Sequence, residues 1–185
     1  MRTFTLALIA CLLGCGKPAT PEPKTPPVAN PPARPTVPAE LAVPDDHKLA
    51  LVASAKGSQI YECVADGGAP AWKLRAPSAE LFDEGGAQIG THFGGVDKSL
   101  PPGPYWESKD GSRVHGASPV SAPNPGSIAL LRLQAADTSG NGVFAHVSYI
   151  HRLATTGGVA PTGECTAGNR TEVPYTAQYY FYNAP

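Results

Sequence analysis

The residue with the greatest chemical capacity in this sequence is His92, which lies in the segment Gly-Thr-His-Phe-Gly-Gly at residues 90–95. An imidazole can serve as a base, a ligand or a hydrogen-bond donor near neutral pH. Glycines on both sides let the backbone bend and bring another molecule close to the ring. We therefore expect an exposed His92 in a binding site. The competing interpretation is a histidine packed at the end of a strand and bonded to a carbonyl.

Tyr105, Trp106 and Glu107 form a second candidate group, directly after a proline-rich loop at residues 101–104. An aromatic face next to a carboxylate suits a sugar or another polar ligand that stacks. If this segment meets His92, the two would form a shallow, aromatic-lined site. The sequence therefore predicts His92, Tyr105, Trp106 and Glu107 as ligand-binding residues. A core tryptophan beside a solvated glutamate is the alternative.

A catalytic function would require an acid or a nucleophile close to these side chains in the folded protein. Glycoside hydrolysis needs two carboxylates at a defined separation, and the candidates are Asp97, Glu107 and Asp110. The sequence contains no Gly-x-Ser-x-Gly segment, which holds the nucleophile of many hydrolases. We predict no catalytic residue, and whether the protein is an enzyme stays open. The predicted function is that of a lipid-anchored cell-envelope protein, either a ligand-binding or a structural module. The alternative function is an extracytoplasmic hydrolase that uses His92 with a nearby carboxylate.

The sequence predicts no metal site and no cofactor. Residues 137–142 resemble the start of a calcium loop, but Ser148 stands at the twelfth position, where an EF-hand needs a glutamate. We interpret this segment as a polar hairpin turn. His146 and His151 are five residues apart in a strand-like run, so they would face opposite sides and could not share a metal.

Short apolar runs separated by turn residues must position these side chains. The chain contains 21 prolines and 20 glycines with 16% charged residues, which favours short strands over long helices. Strands are predicted at residues 48–55, 59–64, 72–75, 81–82, 89–93, 105–107 (an edge strand), 112–122, 143–153 and 175–182, with turns at 56–58 and 83–86. A short helix is an option for residues 128–136. We predict an all-β fold: a single-domain sandwich or open barrel of short antiparallel strands, with one disulfide and little or no helix.

The first residues resemble a bacterial lipoprotein signal. Residues 4–13 are mostly apolar, shorter than the roughly 20 residues of a membrane-spanning helix, and lead into Leu-Leu-Gly-Cys ending at Cys15. We predict a signal peptide over residues 1–14, a lipidated Cys15 with a Pro-rich linker over residues 15–40, and an all-β domain over residues 41–185. Gly16 after the cysteine indicates sorting to the outer membrane. The alternative is a plain signal peptide cut near Gly16 or around Cys11.

On this interpretation two of the four cysteines belong to the lipoprotein signal and two belong to the folded domain. Cys11 leaves with the signal peptide, and Cys15 carries the lipid. Cys63 and Cys165 remain in an exported, oxidising compartment, which favours a disulfide between them. A metal site would need further cysteines or histidines at ligand spacing.

Charge limits the partners that the protein can have. The formal net charge is −1 and no basic run occurs, so nucleic acid is not an expected partner. We expect contact with a membrane through the lipid anchor, and an envelope glycan or a small molecule as ligand. The expected location is the bacterial cell envelope, on the periplasmic or surface face of the outer membrane.

Four segments, at residues 56–63, 89–95, 157–161 and 173–177, resemble an uncharacterised exported family, domain-of-unknown-function family 3455. The similarity runs in order over residues 41–182. It implies that the chain is a member of this bacterial and fungal family, here as a bacterial lipoprotein. It implies no activity.

Overall fold

The computed structural model describes residues 32–95 and 99–185, which form a closed barrel of antiparallel strands. The strands are β1 (Lys48–Val64), β2 (Ala71–Phe82), β3 (Gln88–Gly95), β4 (Gly103–Ser108), β5 (Arg113–Ala122), β6 (Leu130–Ser139), β7 (Val147–Gly157) and β8 (Arg170–Asn183). Each strand pairs with its successor, and β8 pairs with β1. The all-β prediction is confirmed, and the sheet closes on itself. A 3-10 turn, Ala39–Leu41, precedes β1, and no helix among the described residues is long and apolar enough to cross a membrane.

The alternation of side chains in β8 shows how the barrel acquires its interior. Tyr175, Ala177, Tyr179 and Phe181 point to one face and are almost fully buried. A spacing of two residues is the period of a strand with one face in a core. These side chains pack in one cluster with inward-facing residues of neighbouring strands.

The two ends of the barrel are filled differently. Phe144, before β7, and Leu81 and Phe181, near the ends of β2 and β8, are fully buried and close one end. The opposite end, where β3 and β7 finish and β4 and β8 begin, carries smaller inward residues such as Gly94 and Gly116. The barrel is therefore packed at one end and hollow at the other.

The turn predicted at residues 56–58 is wrong, because β1 continues through it as one strand of 17 residues. Gly57 pairs with Ala79 of β2 and with Tyr175 of β8. A Cβ at Gly57 would collide with the Ser78 carbonyl oxygen and with the backbone of Ala79. The glycine is there because two strands approach closely, and not because the chain reverses.

The helix considered for residues 128–136 is absent, because most of this segment belongs to β6. Leu131 and Leu133 point inward and Arg132 between them points outward, which is a strand pattern. Likewise, β4 is not an edge strand, since it pairs with both β3 and β5. Closure of the barrel removes the edges that an open sheet would have.

The predicted hairpin and the predicted disulfide are both present. Residues 83–87 connect β2 to β3, and the side chain of Asp83 accepts a hydrogen bond from Ala87 N at 2.8 Å. Cys63, at the end of β1, is bonded to Cys165 in the connection between β7 and β8. Cys63 also accepts a backbone hydrogen bond from Gly168 at 2.9 Å. This connection is thereby held against the hollow end of the barrel.

The described residues before β1 pack on the outside of the barrel. Arg34 donates a hydrogen bond from Nη2 to the Val43 carbonyl oxygen at 2.8 Å. Leu41 is fully buried against Ala122 and Leu153. Arg34 also lies over the ring of Tyr182 in β8 at 5.2 Å, and Val37 packs against the cluster of Leu41. Residues predicted to belong to the linker therefore contact the folded barrel.

Candidate functional site

The hollow end of the barrel contains a cavity of about 330 Å³. Its wall includes the side chains of Gln59, His92, Trp106, Leu133, Arg152 and Tyr179. These residues come from six of the eight strands, so the closed barrel as a whole forms the site. The volume lies at the lower end of the range of small-molecule pockets in proteins.

Two inward-facing glycines help to keep side chains out of this space. Gly116 of β5 lies against the indole of Trp106, and a Cβ there would be 2.9 Å from Trp106 Cζ3. Gly94 of β3 faces Ala76, and a Cβ there would be 2.8 Å from the Cβ of Ala76. Parts of the cavity wall are therefore backbone, which allows another molecule to approach closely.

His92 lies in β3 and is 2% exposed, so the expectation of an exposed ring is wrong. It pairs with Trp106 of β4, and the two rings stack with centroids 4.5 Å apart. Tyr179 packs against the same imidazole at 5.0 Å. Alternate residues of β3 face the barrel interior, and His92 belongs to the same set as Gly90 and Gly94. The strand therefore places the imidazole inside.

The protonation of His92 follows from this burial. Burial is the main reason why the pKa of His92 falls from 6.5 to about 3. The hydrogen bond to the Tyr105 carbonyl opposes this shift, and the charge of Arg152 adds to it. The ring is therefore neutral at physiological pH. Because a carbonyl can only accept, Nδ1 donates to Tyr105 O at 2.8 Å, and Nε2 is left as an acceptor.

Two hydrogen-bond donors on residues that line the cavity have no partner within residues 32–95 and 99–185. Gln59 and Trp106 are each 1% exposed, and neither Gln59 Nε2 nor Trp106 Nε1 makes a hydrogen bond. A buried donor left without an acceptor costs about 1–3 kcal/mol. Most buried polar atoms in proteins are satisfied, so two unpartnered donors on residues that line one cavity are unusual. Each nitrogen has less than 1 Å² of accessible surface, so an external acceptor reaches it only when the neighbouring side chains shift.

Tyr105 and Glu107 lie on the other side of the sheet from Trp106. Tyr105 stacks on His115 with centroids 4.3 Å apart, and its hydroxyl donates to Pro101 O at 2.9 Å. Glu107 forms an ion pair with Arg113 at 3.6 Å. The structure thus brings His92 and Trp106 together in the cavity and places Tyr105 and Glu107 on the outer face of the sheet, where Tyr105 is itself covered by its neighbours. The reason is that successive residues of a strand face opposite sides.

The hydrolase alternative needs an acid beside His92. Within the described part of the chain, the polar contact recorded for its ring is the Tyr105 carbonyl, and no ion pair joins it to a carboxylate. Asp110 lies in the turn between β4 and β5, where Ser112 donates to it from both its backbone and its hydroxyl group. Asp97 falls outside the described residues. The described geometry therefore supplies no acid partner for catalysis by His92.

Three residues of the cavity wall, Gln59, Arg152 and Tyr179, were not among the predicted site residues. A signal existed for Gln59, because the alternating positions 53, 55, 57, 59, 61 and 63 are otherwise small, aromatic or cysteine. A polar residue in the apolar phase of a strand often marks a site. No comparable signal identified Arg152, since the register of β7 shifts between Val147 and Tyr149 and again between Leu153 and Thr156, which leaves only a short regular stretch around it.

Comparison with known proteins identifies the barrel at the level of a family. A family model described as a protein of unknown function (DUF3455) matches residues 44–183, from just before β1 to the last residue of β8. No curated protein matches the chain. The resemblance seen in the sequence is confirmed, and the chain belongs to the DUF3455 family.

Proposed function

We propose that this protein is a binding protein for a small, partly apolar molecule, which it holds in the hollow end of its barrel. The observation that carries the proposal is the pair of buried donors without acceptors, Gln59 Nε2 and Trp106 Nε1. A ligand with a carbonyl or carboxylate oxygen would satisfy them once the side chains around them shift to admit it, since each nitrogen has less than 1 Å² of accessible surface. Without such a ligand the protein maintains two unfavourable buried groups.

The shape and lining of the cavity agree with this ligand class. Its volume equals the space of about ten water molecules, which accommodates a substituted benzene ring. The stacked His92 and Trp106 supply a flat aromatic wall, and Leu131 and Leu133 supply an aliphatic one. Ligand sites are commonly apolar clefts with a few placed polar groups.

We further propose that the barrel works at the bacterial envelope, attached by a lipid on Cys15. The signal peptide at residues 1–14 and Cys15 lie outside the described residues. The support is the sequence pattern at Cys15 together with the Cys63–Cys165 disulfide, a bond typical of exported proteins. An envelope glycan remains a candidate ligand only in pieces small enough for the cavity.

Ligand binding is tested with acetophenone, benzamide and benzoate added to the full-length protein. A Trp72→Phe background leaves Trp106 as the fluorescent reporter, since the chain has two tryptophans. We expect a saturable change of Trp106 emission with at least one compound. Ala76→Leu should abolish it, because Ala76 lines the cavity and a leucine there fills the space.

Two variants complete this test. Ala136→Leu makes the same substitution at an exposed position of β6 and should bind like the parent protein. Gln59→Leu should weaken binding and yet raise the free energy of unfolding by about 1 kcal/mol, because it removes an unsatisfied buried amide. Equal binding by the Ala76→Leu protein, or no saturable signal with any compound, would refute the proposed cavity function.

Lipid anchoring predicts that Cys15→Ser transfers the protein from the membrane fraction to the soluble fraction of bacteria. The thioether to the lipid forms on the Cys15 thiol, and acyl chains contribute about 0.8 kcal/mol per buried methylene to membrane affinity. Membrane pelleting followed by immunoblotting measures the distribution. Cys11→Ser serves as the control, and a Cys15→Ser protein that still pellets with membranes would contradict the anchor.

A further inference from the structure

We infer that the ligand of the cavity is a monoanion, a carboxylate on an apolar body, and that Arg152 binds its charge. This inference rests on the proposed function and adds the chemical class of the ligand. The inference depends on an arginine that points into the barrel interior and has no counter-ion in the part of the chain that the structure describes.

Arg152 occupies an inward position of β7. It pairs with Tyr179 of β8 and with Leu131 of β6, and all three residues line the cavity. Its Nε and Nη2 donate to the Ala129 carbonyl oxygen at 3.2 and 2.9 Å. The Tyr179 hydroxyl also interacts with this side chain. An arginine has five N–H donors, so these contacts orient the guanidinium and leave further donors available.

The charge of Arg152 has no negative partner among residues 32–95 and 99–185. No carboxylate there lies within 4.0 Å of its guanidinium. By contrast Arg75, which also lines the cavity, forms an ion pair at 3.3 Å with Glu62, a carboxylate that it shares with Arg170. Arg152 is partly buried, and it is the arginine of the described cavity wall that has no ion-pair partner, whereas charges removed from water are normally paired.

The titratable groups around Arg152 do not compensate it either. Burial raises the pKa of Tyr61 and Tyr175, and it raises the pKa of Tyr179 well above 10. Burial also keeps His92 neutral. Each of these groups is close enough to Arg152 for its charge to influence their pKa values, and all of them are uncharged at neutral pH.

A carboxylate matches these groups better than other anions do. Its two oxygens fit the planar fork of a guanidinium, and such charge-assisted pairs are strong and directional. The unpaired amide of Gln59 and indole N–H of Trp106 belong to residues of the same cavity wall and become further donors if the side chains around them shift. A phosphate monoester would bring about two negative charges to a described wall in which one arginine has no ion-pair partner. The apolar body of the ligand would then lie against His92 and Leu133.

The experiment compares benzoate with benzamide, which have nearly the same shape but differ in charge. In the parent protein we expect benzoate to bind about tenfold tighter or more, measured by Trp106 fluorescence and by calorimetry. Arg152→Met replaces the arginine with a long unbranched apolar side chain and so removes the charge. This variant should lose the preference for benzoate, and its affinity for benzamide should be nearly unchanged. Arg132→Met, on the outer face of β6, is the control and should keep the preference.

A measurement on the parent protein does not depend on how the variants fold. With benzoate labelled with ¹³C in its carboxyl group, the pKa of the bound acid should lie below that of free benzoic acid, because a neighbouring cation favours the charged form. A bound pKa that is unchanged or raised overturns the inference.

The outcomes separate this inference from the proposed function. If benzamide binds as well as benzoate, the cavity binds ligands but not through an anion, and the inference fails alone. If the preference survives in Arg152→Met, the charge is bound elsewhere and the inference also fails. If phenylphosphonate binds more tightly than benzoate, the carboxylate class is wrong. If no compound binds, the proposed function fails as well.

Discussion

Reduction of the Cys63–Cys165 disulfide is expected to lower the free energy of unfolding by several kcal/mol. The bond joins residues 102 positions apart, and closing a loop of that size is worth about 4.7 kcal/mol in the chain-entropy model. The bond also holds the connection between β7 and β8 in place at the hollow end, where Gly158 O accepts from Tyr61 at 2.7 Å. Urea denaturation with and without dithiothreitol measures the loss.

The double variant Cys63→Ala/Cys165→Ala is the matched control for this experiment. It should unfold at the lower urea concentration of the reduced protein and should not respond to dithiothreitol. We also expect weaker ligand binding on reduction, since the loosened connection contributes to the open end of the barrel. An unfolding midpoint that reduction leaves unchanged would show that the bridge contributes no stability.

Acidification is expected to destabilise the barrel through His92, the second large effect. The pKa of His92 is about 3 in the folded protein and 6.5 in an exposed histidine. Between these values the unfolded chain binds a proton that the folded protein excludes, so stability falls as pH decreases and is independent of this group above pH 6.5. From pH 7 to pH 4 the contribution is about 3 kcal/mol.

His92→Gln isolates this contribution from other titrating groups. Glutamine retains an N–H donor for the Tyr105 carbonyl but cannot gain a proton. Burial also lowers the pKa of His151, which therefore contributes to acid sensitivity in both proteins. Urea denaturation at pH 7 and pH 4 should show a loss that is smaller in the variant by about 3 kcal/mol. Equal losses in the two proteins would place His92 in contact with solvent.

Features of the fold that depend on a few neighbouring residues could be predicted from the sequence. The hairpin at residues 83–86 follows from its turn residues, and the disulfide follows from the number of cysteines left in the exported domain. Gly57 misled the prediction because a glycine can serve either a turn or a close approach of strands. Ser78 and Ala79, which require the glycine, lie on another strand.

The candidate site was predictable only in part. His92 and Trp106 were identified by their residue types, but their direct stacking depends on the pairing of β3 with β4. Gln59 and Arg152 reach the same cavity from β1 and β7, which are far apart in sequence. No local pattern specifies that these strands enclose one space.

The amino-acid sequence by itself determined the all-β class, the disulfide partners and the family, because turn residues, cysteine number and short motifs are local properties. The tertiary structure decided which face of each strand became the interior. Closure of β8 onto β1 placed Trp106 and His92 inside and Tyr105 and Glu107 outside. A strand has two faces that look alike in sequence when both carry aromatic residues, as in β4. Burial of one face arises only when distant strands pair, and that pairing creates the cavity.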